Sequence, residues 1–184
     1  MTSPQKGRIF ISYRRDDSAG YAGRIYDRLS NHFGEDAIFM DVDKIPAGTD
    51  FVEVLENEFQ SCDVLVALIG KQWINIKTKD GVRRLENPQD FVRIEISAAL
   101  KRQIRVIPVL LDSTPIPGTH QLPRGMKSLP RRNAVLINHY SFDSDIKRLV
   151  KQLEMALKAA EETKNQKAKK LQEIQAKEKR QEEI

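Results

Sequence analysis

The 184-residue sequence has one cysteine and three histidines. Cys62 alone cannot close an intramolecular disulfide, and His32, His120 and His139 stand too far apart in the chain to show metal-ligand spacing. Long hydrophobic runs are missing too: the longest, VLVALIG at 64–70, falls far short of a membrane span. The opening MTSPQKGR carries no apolar stretch of the secretory kind. These absences predict an intracellular, cytoplasmic protein without a membrane partner. Charge of one sign is also scarce. The 31 Lys and Arg against 26 Asp and Glu leave +5, spread along the chain, and the densest charged segment, from Glu161 onward, mixes both signs. A solvated surface accounts for this better than a nucleic-acid interface does.

Several catalytic signatures are absent as well. There is no GxGxxG after the first apolar run, no GxxxxGK[ST] and no GxSxG, which removes the dinucleotide fingerprint, the phosphate loop and the nucleophile elbow. A phosphoacceptor receiver domain needs an aspartate ending its third strand. Here that run ends Leu68, Ile69, Gly70, Lys71.

What is present is 40% hydrophobic residues arranged in five apolar runs, at 8–13, 37–42, 63–70, 104–111 and 134–137. Runs apolar on nearly every residue predict strands covered on both faces, and helical spacing between the first four predicts βαβαβαβ and a parallel sheet. Ala22, Ile25, Tyr26, Leu29 and Phe33 mark a first helix, with Asp17 or Ser18 as its N-cap. Asp50 and Glu53 have capping-box spacing ahead of a second, with Phe51, Leu55 and Phe59 on one stripe and an end near Ser61. A third is announced by Asn87 as cap and Pro88 at the first helical position. Pro108 lacks a ladder N–H, which places it at a bulge or where one side of its strand is unpaired. Residues 110–133 read as a long irregular excursion with room for one short helix. From Ser144, the residues Ile146, Leu149, Val150, Leu153 and Leu157 outline a last amphipathic helix. This division predicts a domain over 7–158 and a charged helical tail over 159–184, either frayed or the start of a weak coiled coil.

Open parallel sheets bind ligands beyond the carboxyl ends of their strands. Those ends offer Arg14 and Arg15 after the first run, Asp41 and Asp43 after the second, and Lys71 with Trp73 after the third. Arginines placed there suit a pyrophosphate through forked, charge-assisted bonds, or an internal bridge from Arg14 to Asp41 or Asp43. Asp16 and Asp17 orient those arginines or cap the first helix. Glu95 has Phe91, Ala98 and Ala99 at i−4, i+3 and i+4, an unusual setting for a solvated carboxylate. Its bland alternative is a salt bridge in the neighbourhood of Arg93, to Arg102 or to a loop arginine.

Three stretches together, FISYRRDD (10–17), MDVDKIPAGTDF (40–51) and FVRIEISAAL (91–100), resemble the first box, the BB loop and the catalytic helix of a bacterial-type TIR domain, over roughly residues 7–158. The resemblance implies a flavodoxin-like, three-layer α/β fold with a five-stranded parallel sheet. It also implies one of two functions. One is cleavage of the nicotinamide–ribose bond of NAD+, taken as substrate with no further cofactor, switched on by self-assembly in signalling or defence. The other is a non-catalytic scaffold for protein–protein interaction. Carried over by motif position, Glu95 is the catalytic carboxylate and Phe91 the aromatic one turn before it. Tyr13, Arg14, Arg15, Asp41 and Lys44 line the nucleotide cleft. Trp73 is a second candidate for stacking on a ring, or else an anchor packed on the third helix. Asp43, Ile45, Pro46, Ala47, Gly48 and Thr49 form the BB loop, through which other TIR domains would dock. The sequence departs from the family pattern in having Phe91 where Trp is common, Pro46 where some enzymatic relatives carry an acid, and NHYSFD (138–143) as its third box.

Overall fold

The computed structural model describes residues 7–40, 48 and 51–182. Five strands, β1 (Ile9–Ser12), β2 (Ile38–Met40), β3 (Val64–Ile69), β4 (Arg105–Leu111) and β5 (Val135–Ile137), fall within the five apolar runs. They form one sheet in the order β2-β1-β3-β4-β5, parallel at every pairing. The helices are α1 (Arg15–Phe33), α2 (Phe51–Ser61), α3 (Phe91–Lys101) and α4 (Phe142–Glu182).

The alternation of strand side chains sorts the core into two halves. Ile9 and Ile11 of β1, with Val64, Val66 and Leu68 of β3, pack against Ala22, Ile25 and Leu29 of α1 and Ile146, Leu149 and Leu153 of α4. Phe10 of β1, with Leu65, Ala67 and Ile69 of β3, packs against Phe59 of α2 and Val92, Ile96 and Ala99 of α3. Helices on both faces explain why the strands lack polar alternation, and the strand order is that of a flavodoxin-like fold.

Several local expectations are revised. The turn Arg15–Asp17 precedes a break at Ser18 (φ −138°), and no side chain caps the N-terminus of α1. Among the described contacts, Asp17 neither caps it nor holds an arginine. Its carboxylate accepts the N–H groups of Gly70 (2.9 Å) and Gln72 (2.7 Å), tying α1 to the loop after β3. Helix α3 starts three residues later than Pro88. Asp90 is the cap, accepting the Arg93 N–H at 3.0 Å, while Asn87 closes its own turn onto the Gln89 N–H. Residues 112–134 hold three short 3-10 turns rather than one helix, and they bury Leu122, Met126 and Leu129 in the α3-side core. Pro108 pairs with Ala67 of β3 one residue before β5 joins at Val109, so its strand is bordered there on one side.

Helix α4 begins at Phe142 and runs unbroken through residues 158 and 159. The Lys164 ammonium meets Asp63 at 2.6 Å, and the side chains from Glu161 to Lys177 are otherwise solvated. Among the described residues no helix is long and apolar enough to cross a membrane.

Candidate active site

The chain passes from β1 to β2 on one side and then crosses back from β2 to β3 on the other side of β1, and a cleft of about 440 Å³ opens at the carboxyl end of β1. A switch point of this kind is where ligands bind in open α/β sheets. Ile11, Tyr13, Arg14, Arg15 and Asp16 line one side, and the cap Asp90 with Phe91, Val92 and Glu95 of α3 line another.

Glu95 is placed by two periodicities. On α3 the buried residues are Val92, Glu95, Ile96 and Ala99, so the carboxylate occupies a position in the apolar stripe. On β1, Ser12 follows Phe10 on the face that α3 covers. The Ser12 hydroxyl donates to Glu95 Oε2 at 2.6 Å, and Glu95 is only 4% exposed. Its carboxyl is pushed up to about 8, chiefly by burial and also by the Asp90 charge, against the Ser12 bond and the Arg14 charge. The bland alternative of an arginine partner is not realised among the described residues. Arg93 instead donates to the carbonyls of Leu85 (3.2 Å) and Glu86 (2.7 Å).

Arg14 is buried, and it forms a two-bond fork with Asp90, each N–O distance 2.9 Å. Its Nε donates to the Trp73 carbonyl at 3.1 Å. This pair ties the end of β1, the loop after β3 and the N-cap of α3 together, and so fixes where Glu95 stands. The carboxylate that Arg14 bridges is therefore Asp90. Asp41 and Asp43 lie outside the described residues, as do Lys44, Ile45, Pro46, Ala47 and Thr49. Gly48 is exposed with φ +85°, a conformation that suits glycine. Trp73 is corrected from a stacking surface to a core anchor. It is 1% exposed, clusters with Leu85, Val92 and Ile96, and does not line the cleft.

The remaining candidates do come together. Tyr13 is half-buried at the cleft wall, Arg15 is exposed at its rim, and Phe91 stands half out of the protein one turn before Glu95. Sequence reasoning missed Ser12, Asp90 and Arg84. Ser12 has a faint signal, a hydroxyl inside a buried strand at the parity of Phe10. Asp90 has a clearer one, an N-cap residue type directly before an apolar stripe. Arg84 lines the cleft from a 3-10 turn and meets Asp16 across its mouth at 2.9 Å.

The profile of the TIR domain family matches residues 9–150, a span that holds all five strands and the cleft. The chain belongs to the TIR domain family. A curated relative, the NAD(+) hydrolase sarm1 of Drosophila melanogaster, is 28% identical over 146 residues, covering 77% of this chain. The chain spans about a tenth of that relative's length. Among solved structures, the TIR domains of the activated Roq1 resistosome that recognises the pathogen effector XopQ align with a TM-score of 0.58 at 15% identity, over 80% of this chain and 99% of that one. A metazoan TIR-STING receptor from C. gigas aligns with a TM-score of 0.43 at 15% identity, over 80% of this chain and 41% of that one. The first of these carries the likeness of fold.

Proposed function

We propose that this chain is an NAD+ nucleosidase in which Glu95 is the catalytic carboxylate. The observation that carries the reading is a glutamate buried in the stripe of α3, opening on the cleft. Among the described residues, the Ser12 hydroxyl is the one donor it meets. Family membership and likeness to the NAD(+) hydrolase sarm1 support the reading.

The chemistry suits one such group. When the nicotinamide–ribose bond breaks, its electron pair goes to the ring nitrogen, neutral nicotinamide departs, and positive charge develops on the ribose. The leaving group needs no proton, so a second acid is not required. An ionised Glu95 in a low-dielectric site stabilises that charge, and the same carboxylate can accept a ribose hydroxyl. A carboxyl near 8 is mostly protonated at neutral pH in the free protein. The cationic nicotinamide ring of bound NAD+ favours its ionised form, so the substrate itself recruits the charge that later steadies the sugar. Capture by water gives ADP-ribose, and capture by a nitrogen of the adenine gives a cyclic isomer.

Self-association through the loop at 43–49 is part of the same reading, with a neighbour's loop completing the cleft. The test is nicotinamide release from NAD+ by the chain held at high density on a surface, with Glu95→Gln beside it. Release by the wild type and a loss of at least about a hundredfold in the variant are expected. Equal turnover by the variant would remove Glu95 from the chemistry. Clustered wild type that consumes no NAD+, while Pro46 or Gly48 substitutions abolish association, would favour the interaction-module reading.

A further inference from the structure

We propose that Arg84 binds the diphosphate of the dinucleotide, and that Asp16 is the carboxylate it releases in order to do so. The inference rests on the reading of this cleft as an NAD+ site and concerns which cation serves it.

Arg14 is the obvious cation by position, but its guanidinium is committed. Both terminal nitrogens are on Asp90, Nε is on the Trp73 carbonyl, and the side chain is 2% exposed. Taking a phosphate would strip Asp90 of its counter-charge while that carboxylate caps α3. A buried charge left without its partner is strongly unfavourable. Arg84 is in the opposite state. It lines the same cleft, its side chain is 41% exposed, and its ion pair is with an Asp16 that is 59% exposed. Exposed pairs of this kind contribute little and exchange partners cheaply. A diphosphate presents more charge than one carboxylate and a geometry the guanidinium fork matches.

The base under Arg84 is fixed. Its N–H donates to the Ile76 carbonyl at 2.8 Å, and the backbone of Arg83 before it forms an antiparallel β-bridge with that of Lys77. Leu85 after it is 1% exposed, and Arg93 holds the carbonyls of Leu85 and Glu86. A guanidinium on an anchored turn, held across the mouth by a weak pair, is a preorganised anion site with a placeholder in it. Ligand entry then opens the link between α1 and the 84–86 turn.

The test is calorimetric binding of ADP-ribose, which carries the diphosphate and lacks the scissile nicotinamide bond. Arg84→Ala is expected to weaken binding about tenfold to a hundredfold. Arg84→Lys should recover part of the loss, because the charge returns without the fork. Asp16→Asn should tighten binding about two- to fivefold, since the competing carboxylate is gone. The opposite signs are diagnostic: a merely structural bridge would lose affinity from either side alike. Arg84→Ala binding like the wild type, or Asp16→Asn weakening as Arg84→Ala does, overturns the proposal. Wild type that binds no ADP-ribose removes the dinucleotide reading of the cleft and this inference with it. Normal wild-type binding with an indifferent Arg84→Ala removes the inference alone.

Discussion

Glu95 and Asp145 are both withdrawn from water, 4% and 1% exposed, yet their carboxyls are driven in opposite directions. Burial dominates at Glu95 and takes it to about 8, against one hydroxyl donor. At Asp145, in the first turn of α4, burial also pushes upward. There the Ser141 hydroxyl (2.6 Å), the Asn138 N–H (2.9 Å) and the Arg148 guanidinium outweigh it and hold the group below the ordinary aspartate range. Arg148 is two-thirds exposed, so Asp145 lies shallow, with water close behind its partner. Depth and donor supply together separate a carboxylate that staples β5 to α4 from one left available to a ligand.

The widest expected gap between the two sites is in thermal stability, with opposite signs. Asp145→Ala strands the donors at the β5–α4 junction and should cost about 2–4 kcal/mol, or roughly 5–10 °C in Tm. Because the aspartate's folded value is depressed, its contribution is present above its unfolded value and fades as pH falls through the folded one. The deficit of the variant should therefore shrink in strong acid. For Glu95 the linkage is reversed. Between about 4.5 and about 8 the folded protein keeps a proton that the unfolded chain has released, so stability falls as pH rises across that window. Glu95→Gln lacks this slope. Its stability should match the wild type near pH 4 and exceed it at pH 8 by on the order of a few kcal/mol, read as a higher Tm, while turnover is lost. A Glu95→Gln protein destabilised at pH 8 would show that the glutamate is a staple after all.

The smallest effect sharpens the comparison within one site. Ser12→Ala removes the donor that holds Glu95 down, so the carboxyl should move above about 8 and the rising limb of kcat/KM should move to higher pH. The loss of stability should be near 1 kcal/mol. A pH profile that stays in place would mean the Ser12 hydroxyl does not set the proton affinity of Glu95.

The strands were legible because burial on both faces leaves a compositional mark that needs no tertiary information. Glu95 was legible for a related reason, since its helical neighbours are apolar or small. The start of α3 was not. Asn87 and Asp90 are both good caps, and the choice is tied to Arg14, 76 residues away in the chain, which grips the Asp90 carboxylate. Trp73 sits just past a strand end, where position alone suggests the cleft, yet its indole turns into the core beside Leu85 and Ile96. Arg84 in GVRRLENPQD reads as one more solvated charge. Only the anchored turn around it, held by Ile76, Lys77 and Arg93, brings it to the mouth opposite Asp16.

The most direct measurement is the titration of the Glu95 carboxyl itself, followed by carbon NMR in protein labelled at glutamate, with Glu95→Gln assigning the signal. A midpoint near 8 in the free protein, falling when NAD+ binds, is the result expected of a donor-poor carboxylate facing a cationic ligand. A midpoint in the ordinary glutamate range near 4.5, unmoved by NAD+, would contradict the account.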